Sequence, residues 1–477
     1  MAIADTLGDY FGFDEHGTDM RTEVLAGLTT FLTMSYIVVV NPAIMTDQPG
    51  DNGFTDGIAI SGYSPGEIQQ MLAVVTILSA AIAIFVMAFY ANRPFGLAPG
   101  LGLNAFFAFT VVGALGVPWQ TALAAIVVEG IIFILLTVAG AREYIINLFP
   151  VPVKFAVGTG IGAFLAIIGL EQMRVIADHP ATFITLNPIL AFDPIAVLSV
   201  VGLLFTFVLY VRGVRGSIII GILLTGAAGY ALSMAGVTAP QPDNLLAISL
   251  TPPPVQPVYD ITPLAGAFLS GFANVEAFTF ALVVFTFFFV DFFDTAGTLT
   301  GVSQVAGFLD EDGDLPDMDK PLMADAVGTT VGGMLGTSTV TTYIESATGV
   351  EEGGRTGMTA LVIGLLFLLS LAVVPLAAAI PLYASHIALV VVAIIMLRQV
   401  TEVEWTNLTH AVPAGLTILV MPLTFSIAYG IAAGIISYPI VKAAQDGFDS
   451  TRLGHWVLAG AFVLYFVGYS VANTGGF

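Results

Sequence analysis

VEGIIFILL at residues 128–136 returns as VIGLLFLLS at 362–370, 234 positions later. Moving on from each copy, FPVPVKFAVGTGIGAFLAIIGLEQM (149–173) reads against IPLYASHIALVVVAIIMLRQV (380–400), at an offset of 231. Apolar helices resemble one another through composition alone. The shared Gly-x-x-Phe core and the regular offset make an internal duplication the better reading.

The duplication sits in a chain built for lipid. Of its 477 residues, 57% are hydrophobic and only 10% charged, against roughly 25% charged in soluble domains. A bilayer core needs about 20 apolar residues per helix. Clear candidates lie near 25–44, 70–90, 118–140, 155–172, 193–211, 216–236, 279–299, 357–379, 382–398, 408–425 and 427–443. Weaker segments at 97–114, 322–336 and 337–350 are rich in Gly, Thr or Pro and bring the count to 14. Residues 455–471 are apolar too, and either span or lie along the interface. The expected fold is an all-α polytopic membrane protein with two seven-segment repeats and short, interrupted third and tenth segments. Seven is odd, so the second repeat is inverted. Inverted repeats with interrupted segments at matching positions characterise secondary transporters.

Basic residues orient the spans. With the N-terminus inside, Arg21, Arg93, Arg142, Lys154, Arg212, Arg215, Lys320, Arg355, Arg398, Lys442 and Arg452 all fall on the cytoplasmic side, and only Arg174 falls outside. That is the positive-inside pattern. The acidic, polar start MAIADTLGDYFGFDEHG resembles neither a signal nor a transit peptide. The first span is expected to act as an uncleaved insertion signal in the cell membrane.

Acids outnumber bases 34 to 12, for a formal charge of -22, much of it in DQPGDNGFTDG (47–57) and DEDGDLPDMD (310–319). An acidic, lysine-poor surface suits very high salt and points to a halophilic, archaeal source. It also argues against nucleic acid as a partner. There is no cysteine, hence no thiol chemistry or disulfide framework. The five histidines are scattered without metal spacing. No cofactor or metal is expected.

Ionisable groups within lipid cost about 2.5–3.5 kcal/mol each at a helix centre, so they should be few and purposeful. In FFFVDFFDTAGTLTG (287–301), Asp291 and Asp294 are three apart and share a helix face. Carboxylates held together out of water can bind a proton and release it, as a coupling site requires. An intramembrane aspartyl protease would need two Asp on separate helices, so an enzyme is not expected. Glu345 in TSTVTTYIESATGV (337–350) lies beside the backbone donors of a short half-helix. A carboxylate and N–H donors together match the donor–acceptor edge of a purine. Thr341 and Thr342 belong to the same string. In APGLGLNAFFAF (98–109), Gly100 and Gly102 permit close backbone approach and Asn104 offers a donor and an acceptor. Asn104 reads as a site residue or as interhelical glue. Phe106 or Phe107 could stack on a flat base. Glu129, in mid-span, has no partner evident from the sequence. Glu171 and Asp325 read as structural acids hydrated at span ends, and His386 as a satisfied core histidine.

Four strings, TEVLAGLTTFLTMSYIVVVNPAIM (22–45), APGLGLNAFFAF, VDFFDTAGTLTGV (290–302) and TSTVTTYIESATGV, resemble the AzgA-type purine permeases of the nucleobase–ascorbate transporter superfamily. The resemblance runs from about residue 10 to 470. It implies a core domain (23–140 and 279–379, spans 1–4 and 8–11) and a gate domain (141–236 and 380–445, spans 5–7 and 12–14). Around these lie a cytoplasmic N-terminus (1–22), an extracellular connection (237–278) and a C-terminal segment (446–477). It implies uptake of adenine, guanine and hypoxanthine with protons, by an elevator-like movement. Carried over by motif, Asp291 and Glu345 contact the purine, Asp294 supports the site, and Asn104 with Gly102 completes it. On residue type and position alone, Thr341 and Thr342 are taken as further substrate contacts, and Glu129 joins Asp294 as a coupling or supporting acid. The acidic context leaves sodium open as the coupling cation. The alternative solutes are xanthine, uracil or a small anion. The oligomeric state is open, with a homodimer among the options.

Overall fold

A computed structural model describes residues 2–47, 56–140, 149–179, 182–237, 257–273, 275, 277–310 and 315–474. Arg142, half of the 237–278 connection and parts of both acidic loops lie outside the described residues.

The first half runs α1 (Ala2–Phe11), α2 (Met20–Met34), α3 (Ile37–Met45), α4 (Pro65–Val86), β1 (Leu97–Pro99), α5 (Leu101–Ala105), α6 (Trp119–Val138), α7 (Val151–Gln172), β2 (Ile176–His179), β3 (Phe183–Leu186), α8 (Pro194–Val211) and α9 (Ser217–Met234). The second runs α10 (Ala277–Ala306), α11 (Asp319–Leu335), β4 (Val340–Thr342), α12 (Ser346–Glu351), α13 (Gly357–Leu369), α14 (Val374–Ala379), α15 (Ile387–Met396), α16 (Leu408–Leu423), α17 (Ile427–Asp446) and α18 (Leu453–Thr474). Proline stands in the first turn of α4, α7, α8 and α14, where its missing N–H costs nothing. Asp19, Ser64, Asp193, Asn407 and Ser426 cap helix starts with their side chains.

Ten helices among the described residues are long and apolar enough to cross a membrane. They coincide with ten of the fourteen segments read from the sequence. The remaining four are short or interrupted: β1 with α5, the Gly- and Thr-rich α11, β4 with α12, and α16. The undecided stretch at 455–471 is the helix α18, packed on α17. Among the described residues, the strands form two small two-stranded sheets, β1–β4 and β2–β3.

Helices α2–α4 and α6 pack with α10–α13, while α7–α9 pack with α15–α17. Few contacts join the two groups among the described residues, chiefly α5 and α10 against α7, α2 against α9, and α3 against the short helix Leu382–Ser385. Within the first group a carboxylate acts as a staple. Glu23 on α2, fully buried, accepts from the backbone N–H of Arg355 (2.9 Å), Thr356 (3.4 Å) and Thr359 (3.1 Å) and from Thr359 Oγ1 (2.6 Å). These amides lie at the start of α13, so an anion from another helix caps it.

Candidate functional site

The interrupted segments meet at the centre of the fold. TSTVTT is β-branched almost throughout and favours extended backbone. On the other side Pro99 supplies no N–H for a helix. Extended backbone inside lipid must pair its polar groups within the protein. The two segments therefore pair with each other, antiparallel, with Leu97 opposite Thr342, Ala98 opposite Thr341 and Pro99 opposite Val340. Gly100 N–H donates to Thr339 O (3.0 Å) and Tyr343 N–H to Gly96 O (2.9 Å). Gly100 is needed here, because a Cβ would lie 2.8 Å from Thr341 Cγ2. The helices α5 and α12 start just beyond each strand.

A cavity of about 330 Å³ opens beside this pair of strands. One wall carries Asp294, Glu345, Thr341, Thr342, Gly102 and the ring of Tyr36. The lining is completed by the end of α15 and the short two-turn helix Leu397–Glu402 that continues it, with Met396, Arg398 and Gln399. Tyr36 Oη donates to Glu345 Oε1 (2.7 Å), leaving the second carboxylate oxygen unengaged by that bond. Thr341 Oγ1 lies 2.7 Å from Thr295 Oγ1 on α10. Behind Thr342, Asp325 accepts from its N–H (3.1 Å) and its hydroxyl (2.8 Å). Asp325 is fully buried, which corrects its reading as a hydrated acid at a span end. Sequence had no view of this, because the strand it braces lies 17 residues further along the chain. His386 is bonded to Leu382 O (2.8 Å).

The expected site residues divide. Asp294, Glu345, Gly102, Thr341 and Thr342 line the cavity. Asp291, Asn104 and Glu129 are fully buried and do not. Asp291 and Asp294 leave the helix about 60° apart, enough for one to face the cavity and the other the helix bundle. Asp291 Oδ2 accepts from Thr329 Oγ1 on α11 (3.3 Å). Asn104 Oδ1 accepts from Ser338 Oγ, while its Nδ2 has no partner among the described residues. Phe106 and Phe107 are buried off the cavity, Phe106 edge-on to Phe287 at 4.9 Å. The aromatic rings on the wall are Tyr36 and Tyr343, which sequence reading had passed over. Arg398 and Gln399 were also missed as wall residues. Their signal was a polar pair closing an apolar span, in IIMLRQV.

With this geometry in hand, comparison with known proteins is direct. The Permease family model, Xan_ur_permease, matches residues 21–433. The chain belongs to this permease family. Its relatives include adenine permease AdeP of Escherichia coli, 39% identical over 91% of this chain and 89% of that one. Guanine/hypoxanthine permease PbuG of Bacillus subtilis is 37% identical over 96% of this chain and 99% of that one. Relatives of this kind place the family among the nucleobase–ascorbate transporters. Among solved structures, the transmembrane domain of the cyanobacterial bicarbonate transporter BicA shares the fold, with a TM-score of 0.55 over 87% of this chain and 97% of that one, at 14% identity. The protein is a multi-pass membrane permease, and its family's activity is transport rather than catalysis.

Proposed function

We propose that the protein takes up purine bases (adenine, guanine and hypoxanthine) across the cell membrane in symport with a cation, the proton being the first choice. One observation carries the substrate reading: two carboxylates, Asp294 and Glu345, stand on one wall of a cavity of about 330 Å³ that also presents Tyr36. Carboxylates accept from purine N–H groups, and a tyrosine ring offers a flat apolar face. The relatives that carry adenine and guanine or hypoxanthine support the same solute class. Acids on that wall disfavour a small anion. Asp294 replaces Asp291 as the proposed purine contact, while Gly102, Thr341 and Thr342 shape the wall and Asn104 secures it through Ser338. The test is uptake of radiolabelled hypoxanthine into proteoliposomes under imposed proton or sodium gradients. Adenine and guanine are expected to compete; competition by uracil or sulfate alone would overturn the reading.

In this reading α2–α6 and α10–α14 form the core and α7–α9 and α15–α17 the gate, and the core carries the base across the gate. The sparse packing between the groups supports it, as does the inverted repeat, which supplies two pseudo-symmetric states. The N-terminus is placed inside. Contacts among the segments expected to be cytoplasmic support their sharing one side: Arg93 Nη2 donates to Pro316 O (2.9 Å), Arg215 pairs with Glu352, and Asn92 Nδ2 donates to Phe11 O (3.2 Å). The basic residues on that side support its being the inside. Lys320 is exposed. A cysteine there, the only one in the chain, should resist an impermeant thiol reagent applied to intact cells and react after permeabilisation. Labelling of intact cells would reverse the orientation.

A further inference from the structure

Off the cavity lies a second group of acids that the proposed purine contacts do not use. Glu129 on α6 and Asp291 on α10 are both fully buried, and their carboxyl groups lie against each other at hydrogen-bonding range. Among the described residues, neither Glu129 oxygen has an N–H or O–H donor, and nor has Asp291 Oδ1. Two ionised carboxylates offer acceptors only. Such a contact without donors is stable only when a proton sits between the oxygens. The alternative, two bare charges touching in a medium of low dielectric, is severely unfavourable. No cation is among the charged groups acting on Asp291; beside Glu129 these are Asp325 and Asp294, again acids. Phe133, one turn from Glu129, closes the pocket against Phe288 and Phe292 at 5.9 and 5.6 Å between ring centres.

We infer that the Glu129–Asp291 pair is the site of the coupling proton, separate from the purine-facing acids Asp294 and Glu345. The inference rests on the proposed symport. One proton is taken from water on the side of higher proton activity, held between Glu129 and Asp291, and released to water on the other side. No bond of the purine changes. The structure also offers a link to the substrate. Thr329 Oγ1 has a single proton and two acceptors, Val340 O at 3.0 Å and Asp291 Oδ2 at 3.3 Å. Val340 belongs to β4, whose next residue, Thr341, lines the cavity. A shift of β4 on purine binding changes which acceptor Thr329 serves, and with it the donors available to Asp291.

The decisive variant is Glu129→Gln. Its amide N–H donates permanently to Asp291, so the contact survives while the exchangeable proton is lost. In proteoliposomes with a pH gradient, the parent protein should concentrate hypoxanthine and acidify the lumen as it does so. Glu129→Gln should lose both, with hypoxanthine reaching equal concentrations inside and outside. Counterflow exchange of labelled for unlabelled hypoxanthine, which needs no net proton movement, should continue. Accumulation by Glu129→Gln at the parent ratio overturns the inference, and so does accumulation by the parent driven by sodium and not by protons. If the parent neither binds nor carries any purine, the proposed function itself has failed, a result distinct from these. An infrared measurement covers the case of a variant that does not fold. The parent at neutral pH should show a protonated-carboxyl band that Asp291→Asn removes; a spectrum without the band, or one that Asp291→Asn leaves unchanged, also overturns the assignment.

Discussion

Glu345→Gln is expected to weaken purine binding by about 10–150-fold, the equivalent of roughly 1.5–3 kcal/mol for a charged hydrogen-bond acceptor lost from a buried site. The geometry makes the substitution selective. Tyr36 Oη already donates to Glu345 Oε1 at 2.7 Å, and the glutamine carbonyl can keep that bond. The other oxygen becomes an NH₂ group, so a purine N–H that met an acceptor now meets a donor. Purines differ in which edge atoms carry hydrogen, so the order of preference among adenine, guanine and hypoxanthine should change along with the affinity. Equilibrium binding of each base to purified parent and variant checks this. A variant that binds all three like the parent removes Glu345 from recognition and leaves its bond to Tyr36 as its whole role. Thermal unfolding measured beside it separates a lost contact from a lost fold.

Much of this site was legible in the sequence, and the part that was not has a physical reason. Glycine, proline and threonine in the third and tenth segments announced interrupted helices. Their pairing as strands obeys the rule that backbone in lipid must satisfy itself. Long apolar helices were found because composition and length suffice for them. Spacing rules were too coarse to separate Asp291 from Asp294: residues three apart share a face only to within about 60°, and here that angle divides cavity from bundle. Glu129 was noticed as an isolated mid-span acid, but its neighbour Asp291 lies far along the chain, where no periodicity can point to it. The same limit hid Tyr36, which looks like any aromatic in an apolar span until Glu345 is placed beside its hydroxyl. Asp325 was misread because distance from a span end is a poor guide to burial in a helix that packs on three others.

The largest effect is expected from tying the two helix groups together. Arg215, between α8 and α9, forms an ion pair with Glu352, just after α12. The pair crosses from the proposed gate to the proposed core, neither residue lines the cavity, and the side chains are 52% and 34% exposed. An exposed ion pair contributes little, typically below about 1 kcal/mol, and cannot hold a moving domain by itself. Replacing both residues with cysteine in a chain that has none gives a single cross-linkable pair. The side chains being replaced are long, so a short bifunctional thiol reagent should span the pair better than a direct disulfide, whose Cα atoms must come within about 7 Å. Joined in this way, the groups cannot slide past each other, and hypoxanthine uptake should fall to the level of empty liposomes. Binding should persist at whichever face the cavity then opens, because none of the wall residues has changed. The uncross-linked double variant should transport normally, and a cleavable reagent should restore uptake when reduced. Full uptake in a sample that is fully cross-linked would mean that core and gate do not move as separate bodies, and transport would then have to proceed by local opening around the two paired strands.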